Sequence, residues 1–261
     1  MTAIATEAPP RDLHGRPLHD LRISVMDRCN FRCPYCMPES TYGEHYRFLD
    51  AAERLDFDEI ERVARAAAQL GVSKLRLTGG EPLLRADLAE LVARLRRIED
   101  IDDLAMTTNG VLLARHARAL REAGLDRVTI SLDTLDADLF RRMSGGRGEL
   151  ADVLAGIDAA RAADFPRGIK LNTVAQRGVN ERGVLDLVER FRGSGIVTRL
   201  IEYMDVGNRN DWNREAVVPS AELVAAIDAR WPLDALPPRY PGEVASRFRF
   251  RDGQGEIGVI S

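Results

Sequence analysis

Cys29-Asn-Phe-Arg-Cys33-Pro-Tyr-Cys36 contains every cysteine of a 261-residue chain. It directly follows Leu21-Arg-Ile-Ser-Val25, whose apolar residues alternate as in a strand, so the thiols fall in a loop at a strand's C-terminal end. A structural zinc site normally takes four protein ligands, whereas three thiolates leave one metal position open for a substrate or cofactor. Soft thiolates select zinc, copper(I) or an iron–sulfur cluster. A disulfide would leave one cysteine over. The start, Met1-Thr-Ala-Ile-Ala-Thr-Glu-Ala-Pro-Pro10, lacks the basic and apolar regions of a secretory signal, so an oxidising compartment is not indicated.

The composition bounds the rest. A 45% hydrophobic content at this length suits one large α/β domain. A net charge of −4 offers no general basic surface, which argues against non-specific nucleic-acid binding. No apolar run is long enough for a membrane span, and the expected location is the cytoplasm, where thiols stay reduced. Of 37 basic residues only Lys74 and Lys170 are lysines, so these two positions invite a specific explanation.

Outward from the cysteines, the pattern is regular. Residues 1–12 read as a mobile arm, and Met37 to about Asp50 as an irregular excursion. Strands are expected at Leu21–Val25, Lys74–Thr78, Asp103–Thr107, Arg127–Leu132, Ile169–Val174 and Val197–Met204. Helices are expected over about 57–70, 85–97, 114–123, 150–162, 181–192 and 220–230. Six βα units imply a parallel sheet with right-handed crossovers. Arg247–Phe250 and Glu256–Ile260, around Asp252-Gly253, look like an antiparallel hairpin. The expected organisation is an arm (1–12), a core domain (13–235) and the start of a C-terminal segment (236–261).

Strand parity then sorts the side chains. Leu21, Ile23 and Val25, Leu75 and Leu77, and Val128, Ile130 and Leu132 fall on faces suited to helix packing. The opposite faces carry Arg22 and Ser24; Lys74, Arg76 and Thr78; Asp103 and Thr107; Thr129 and Ser131; Lys170 and Asn172. A closed apolar barrel or a sheet buried on both faces would show neither pattern. One alternative is an open sheet with a solvated polar face. Crossovers of uniform hand favour a curled sheet around a polar cavity, whose four cations suit an anion such as a polyphosphate.

The strand ends carry the unusual residues: the cysteine loop, Gly79-Gly80-Glu81-Pro82, Thr107-Thr-Asn-Gly110, Ser131-Leu-Asp133 and Ile201 to Gly207. The glycines permit close backbone approach to a ligand, and the carboxylate of Glu81 is positioned in sequence to accept an ammonium group. The C-x3-C-x2-C spacing, with Tyr35 before the last cysteine, resembles the radical S-adenosylmethionine (SAM) superfamily. Adding Asp20-Leu-Arg-Ile-Ser-Val, Arg76-Leu-Thr-Gly-Gly-Glu-Pro-Leu, Leu171-Asn-Thr-Val and the Met204 segment with Trp212 downstream, the chain resembles the GTP 3′,8-cyclases of molybdenum-cofactor biosynthesis.

That resemblance implies a partial (β/α)6 TIM-type barrel with a C-terminal β-hairpin extension. It implies that Cys29, Cys33 and Cys36 hold a catalytic [4Fe-4S] cluster whose fourth iron chelates SAM. Tyr35, Gly80, Ser131 and Met204 match SAM-contacting positions; Arg22, Arg76, Thr107 and Lys170 match positions that contact GTP. The implied reaction removes a hydrogen from ribose C3′ of GTP, and that carbon attacks guanine C8. A protein reductant, a downstream cyclic pyranopterin monophosphate synthase and a homodimer are the implied partners. The family continues with three more cysteines for a second cluster, which has no ligands here, so a shortened chain is the expectation. Two alternatives are a radical SAM enzyme acting on another substrate and a SAM- and cluster-binding fragment without turnover. The four histidines, His14, His19, His45 and His116, are assigned no metal.

Overall fold

Alternating apolar side chains on short β-rich runs, each followed by a helix with an apolar stripe, leave the chain one economical arrangement: strands side by side with helices over one face. The structure, a computed structural model, describes residues 10–206, 211–240 and 242–261. Strands β1 (Asp20–Ser24), β2 (Lys74–Thr78), β3 (Asp103–Thr108), β4 (Arg127–Ser131), β5 (Ile169–Ala175) and β6 (Val197–Glu202) pair in sequence order, all parallel. Helices α1 (Glu39–Tyr42), α2 (Phe57–Gln69), α3 (Leu88–Arg96), α4 (Leu113–Glu122), α5 (Ala137–Met143), α6 (Leu150–Ala163), α7 (Val184–Phe191) and α8 (Ser220–Arg230) fill the crossovers. The expected partial barrel is present.

Local chemistry sets the ends. Asp56 caps α2 by accepting the Glu59 amide, and Glu59 answers in a capping box, so this helix starts where the sequence places it. Its buried stripe is Ile60, Ala64 and Ala68, while Val63 and Leu70, apolar and close to the same helical spacing, face outward. Helix α5 was not anticipated, although Asp136 carries its signal by accepting the Leu139 amide. Helix α1 also interrupts the stretch expected to be irregular.

The C-terminal end is larger than a hairpin. β7 (Leu233–Leu236) pairs antiparallel with β8 (Ser246–Phe250), which pairs antiparallel with β9 (Glu256–Ile260), and β9 runs parallel to β6. The result is a nine-stranded sheet in the order β1-β2-β3-β4-β5-β6-β9-β8-β7. β7 escapes sequence reading because its four residues become a strand only by pairing with β8.

Helices α2, α3, α4 and α6 bury the outer faces of β1–β5 in one apolar cluster, and a second joins α7 and α8 to β6–β9. Residues 1–9 of the expected arm lie outside the described residues. Arg11 bridges Pro17 across a tight turn in which Asp12 accepts the amides of His14 and Arg16. Gly207 also lies outside the described residues.

Candidate functional site at the C-terminal ends of the strands

The cysteine loop is built mainly by backbone. Gly79 and Gly80, at the end of β2, pass beneath it: Gly80 N donates to Met26 O at 2.6 Å and Glu81 N to Arg28 O at 2.8 Å. A Cβ on either glycine would stand 2.3 Å from a carbonyl oxygen of the loop, Met26 O or Arg28 O. The close approach that these glycines permit is therefore to the thiol loop itself. Arg32, buried, donates to Cys29 O (2.7 Å), Phe31 O (2.8 Å) and Tyr42 O (2.8 Å), tying the loop's carbonyls together.

Above this base lies a cavity of about 180 Å³ lined by Cys29, Cys33, Tyr35, Gly80, Thr107 and Ser131, with Phe31, Phe140 and Met143 as apolar wall. Burial raises all three thiols, Cys29 to about 11, so in the bare protein they keep their protons. A metal group must displace those protons, as thiolate-bound metals do. Among the described residues no three Cys, His, Asp or Glu side chains gather where one metal ion would sit. Three thiols spread around a cavity wall fit a multi-iron cluster, in which each thiolate takes a different iron.

Glu81 differs from expectation. It is buried, and its carboxylate already accepts Leu83 N (3.0 Å), Thr108 Oγ1 (2.7 Å) and Asn109 N (2.8 Å). Its role in this structure is to clamp the β3 loop to the β2 loop, and burial holds its pKa above the usual carboxylate range. Asn109, thus placed, donates to Asn30 Oδ1 (2.6 Å) beside Cys29. Tyr35 donates to Asp133 Oδ2 at 2.5 Å, while Asp133 Oδ1 accepts Val174 N at 2.8 Å. Burial pushes Asp133 up to about 6. Met204, matched in sequence to a SAM position, is 43% exposed past the end of β6 and outside the cavity lining.

Below the cavity, the inner faces of the strands form the cationic interior that parity predicts. Arg76 Nη1 donates to Thr107 Oγ1 (3.0 Å) and Thr129 Oγ1 (3.3 Å). Arg127 and Arg199 join them. Parity places Arg127 level with Arg76 through Ala105, and Arg199 beside Asn172, so both were legible in their strands. The structure also divides the cations. Lys74 pairs with Asp20, and Arg127 with Asp103 at 2.7 Å. Arg76, Lys170 and Arg199 have no ion pair among the described residues. Burial first, then the neighbouring cations, push Arg76 down to about 10, Arg199 to about 9 and Lys170 to about 7. Arg22, across from Arg76 on β1, is exposed.

The comparisons agree with this geometry. Residues 23–191 match the radical SAM superfamily, and residues 196–261 match the family described as Molybdenum Cofactor Synthesis C. The GTP 3′,8-cyclase of Xanthomonas axonopodis pv. citri is 59% identical over 97% of this chain and 75% of its own length. The protein of the same name from Acidothermus cellulolyticus is 59% identical over 97% of this chain and 70% of its own, and that of Staphylococcus carnosus 44% over 96% and 73%. Among solved structures, Streptococcus suis SuiB bound to S-adenosylmethionine superposes with a TM-score of 0.62 at 19% identity, over 81% of this chain and 46% of its own. Methylornithine synthase (PylB) superposes with a TM-score of 0.61 at 14% identity, over 80% and 61%. These two likenesses are of fold. The chain belongs to the GTP 3′,8-cyclase family of the radical SAM superfamily.

Proposed function

We propose that the protein cyclises GTP between C3′ and C8 in molybdenum-cofactor biosynthesis, holding the triphosphate inside the barrel and SAM in the cavity above it. The observation that carries the reading is the trio Arg76, Lys170 and Arg199, half-buried, mutually repelling and without an ion pair among the described residues. Such an arrangement is costly unless a polyanion joins it.

Cys29, Cys33 and Cys36 would hold the [4Fe-4S] cluster, which with SAM on its open iron supplies the electron-driven cleavage that starts the radical reaction. Tyr35, Gly80 and Ser131 line the space left for SAM. Phe31, Phe140 and Met143 exclude water from it, which protects a reactive species from side reactions. Arg22, Arg76, Thr107 and Lys170, with Arg199, orient the nucleotide from below. The chain contributes position, charge and dryness. The reading also calls for an outside protein that supplies electrons and for a cyclic pyranopterin monophosphate synthase that consumes the product.

The test is anaerobic incubation of the reconstituted protein with GTP, SAM and dithionite. About four irons per chain on the three thiolates, SAM cleavage and consumption of GTP into a 3′,8-cyclised nucleotide are expected, all lost in Cys33→Ala. Cleavage of SAM with GTP left intact would overturn the substrate, and stoichiometric zinc in place of iron would overturn the cofactor.

A further inference from the structure

The deep end of the cationic interior has a wall contributed from far along the chain. Between β7 and β8, the turn residues Arg239, Tyr240, Gly242 and Glu243 are pinned on their own side by charge: Arg239 N donates to Glu243 Oε2 (2.7 Å), Arg239 pairs with Glu256 (3.3 Å), and Glu256 pairs with Arg247 (3.0 Å). On its other side the turn meets the opposite edge of the sheet. Tyr240 stacks on His19, which precedes β1, with ring centroids 4.7 Å apart and planes 19° from parallel. Its hydroxyl is 3.3 Å from Lys74 Nζ, whose remaining partner is Asp20. A Cβ at Gly242 would lie 3.7 Å from Arg16 Cδ. β1 and β7 are the two edges of the sheet, so the turn spans the seam that strand pairing leaves open.

The turn also faces the cage. Arg239 acts electrostatically on Lys170, and Tyr240 on Arg199. Along the strands, Thr107, which lines the cavity, is two residues above Ala105, Ala105 is level with Arg76, and Lys74 is two residues deeper. At about 3.3 Å per residue that is roughly 13 Å from the cavity to Lys74. A nucleotide whose ribose faces the cavity at the level of Thr107 therefore sends its outermost phosphate toward Lys74.

We propose that Tyr240 is a positioning residue for the terminal phosphate: by holding the Lys74 ammonium together with Asp20, it sets the depth of the cage and its preference for a triphosphate. This rests on the nucleotide reading above. Lys74 already touches Asp20, and without the phenol on its other side that carboxylate alone directs the ammonium, so the outermost phosphate loses a positioned donor.

Titration calorimetry with GTP, GMP and inorganic tripolyphosphate separates the possibilities. Tyr240→Phe keeps the stacking on His19 and removes only the hydroxyl. It should weaken GTP and tripolyphosphate about tenfold, the order expected for a hydrogen bond to a charged group, and leave GMP and SAM within about twofold. In Lys74→Ala the further change Tyr240→Phe should add nothing, because Tyr240 acts through that ammonium. Equal weakening of GTP and GMP would make the turn a mere seal and overturn the proposal, as would no change at all. If the parent binds tripolyphosphate and loses it on Tyr240→Phe yet never binds GTP, the nucleotide reading falls and the role of Tyr240 stands.

Discussion

Lys170 shows how a single side chain is tuned by its setting. Its ammonium is pushed down to about 7, first by burial and then by Arg127, Arg199, Arg239 and Arg76. The unfolded chain therefore binds more protons between about pH 7 and the ordinary lysine range, and stability rises with pH across that window. A bound polyanion reverses the shift by favouring the charged form. At pH 8, where free Lys170 is mostly neutral, GTP binding should take up close to one proton and weaken as pH rises further. Calorimetry in two buffers of different ionisation enthalpy reads the uptake directly. Lys170→Met should abolish it; an unchanged uptake would assign the proton elsewhere.

At the scale of elements, the loops at the strand ends are ordered by a few polar clamps. Asn180 is buried after β5: its Nδ2 donates to Asp133 O and Val174 O at 2.8 Å each, and its Oδ1 accepts Gln176 N at 2.8 Å. It thereby ties the end of β4 to the end of β5 and holds Asp133 where Tyr35 meets it. Asn180→Ala removes all three bonds and strands buried carbonyls, each worth about 1–3 kcal/mol. The expected loss of stability is about 2–4 kcal/mol on that scale, with SAM binding weakened because the Tyr35 side of the cavity loosens. Thermal denaturation alongside SAM titration checks both. A stability loss with SAM affinity intact would show that the clamp serves the scaffold alone.

For the molecule as a whole, the C-terminal strands extend the barrel's own sheet. β9 pairs with β6, and Phe250 on β8 is fully buried against Trp231 (6.4 Å, 87°) with the Arg192 guanidinium 5.1 Å from its ring. Phe250→Ala should cost about 3–5 kcal/mol, as large-to-small changes in tight cores do. Because one sheet carries both apolar clusters, tryptophan fluorescence, reporting on Trp231 once Trp212 is replaced by Phe, and far-ultraviolet circular dichroism should still lose structure in one coincident transition. Fluorescence melting first would show that the extension unfolds by itself.

Much of this arrangement is written locally. The spacing of three thiols, the six βα alternations and the polar parity of Arg22, Arg76, Thr107, Lys170 and Asn172 all follow from residues a few positions apart, because strand and helix periods are local properties. They sufficed for the barrel, the thiol loop and the cationic interior. What the sequence left open were pairings between distant segments. Lys74 and Arg127 look like Arg76 in their strands, yet Asp20 and Asp103 pair with the first two and leave the third without an ion pair among the described residues. Glu81 reads as a free carboxylate until Thr108 and Asn109 occupy it, Tyr35 finds Asp133 across the barrel, and Tyr240 reaches Lys74 only because the sheet curls. Periodicity tells which face a side chain takes; which partner waits on that face is decided when the sheet closes, since burial, charge compensation and pKa depend on distances that no local spacing contains.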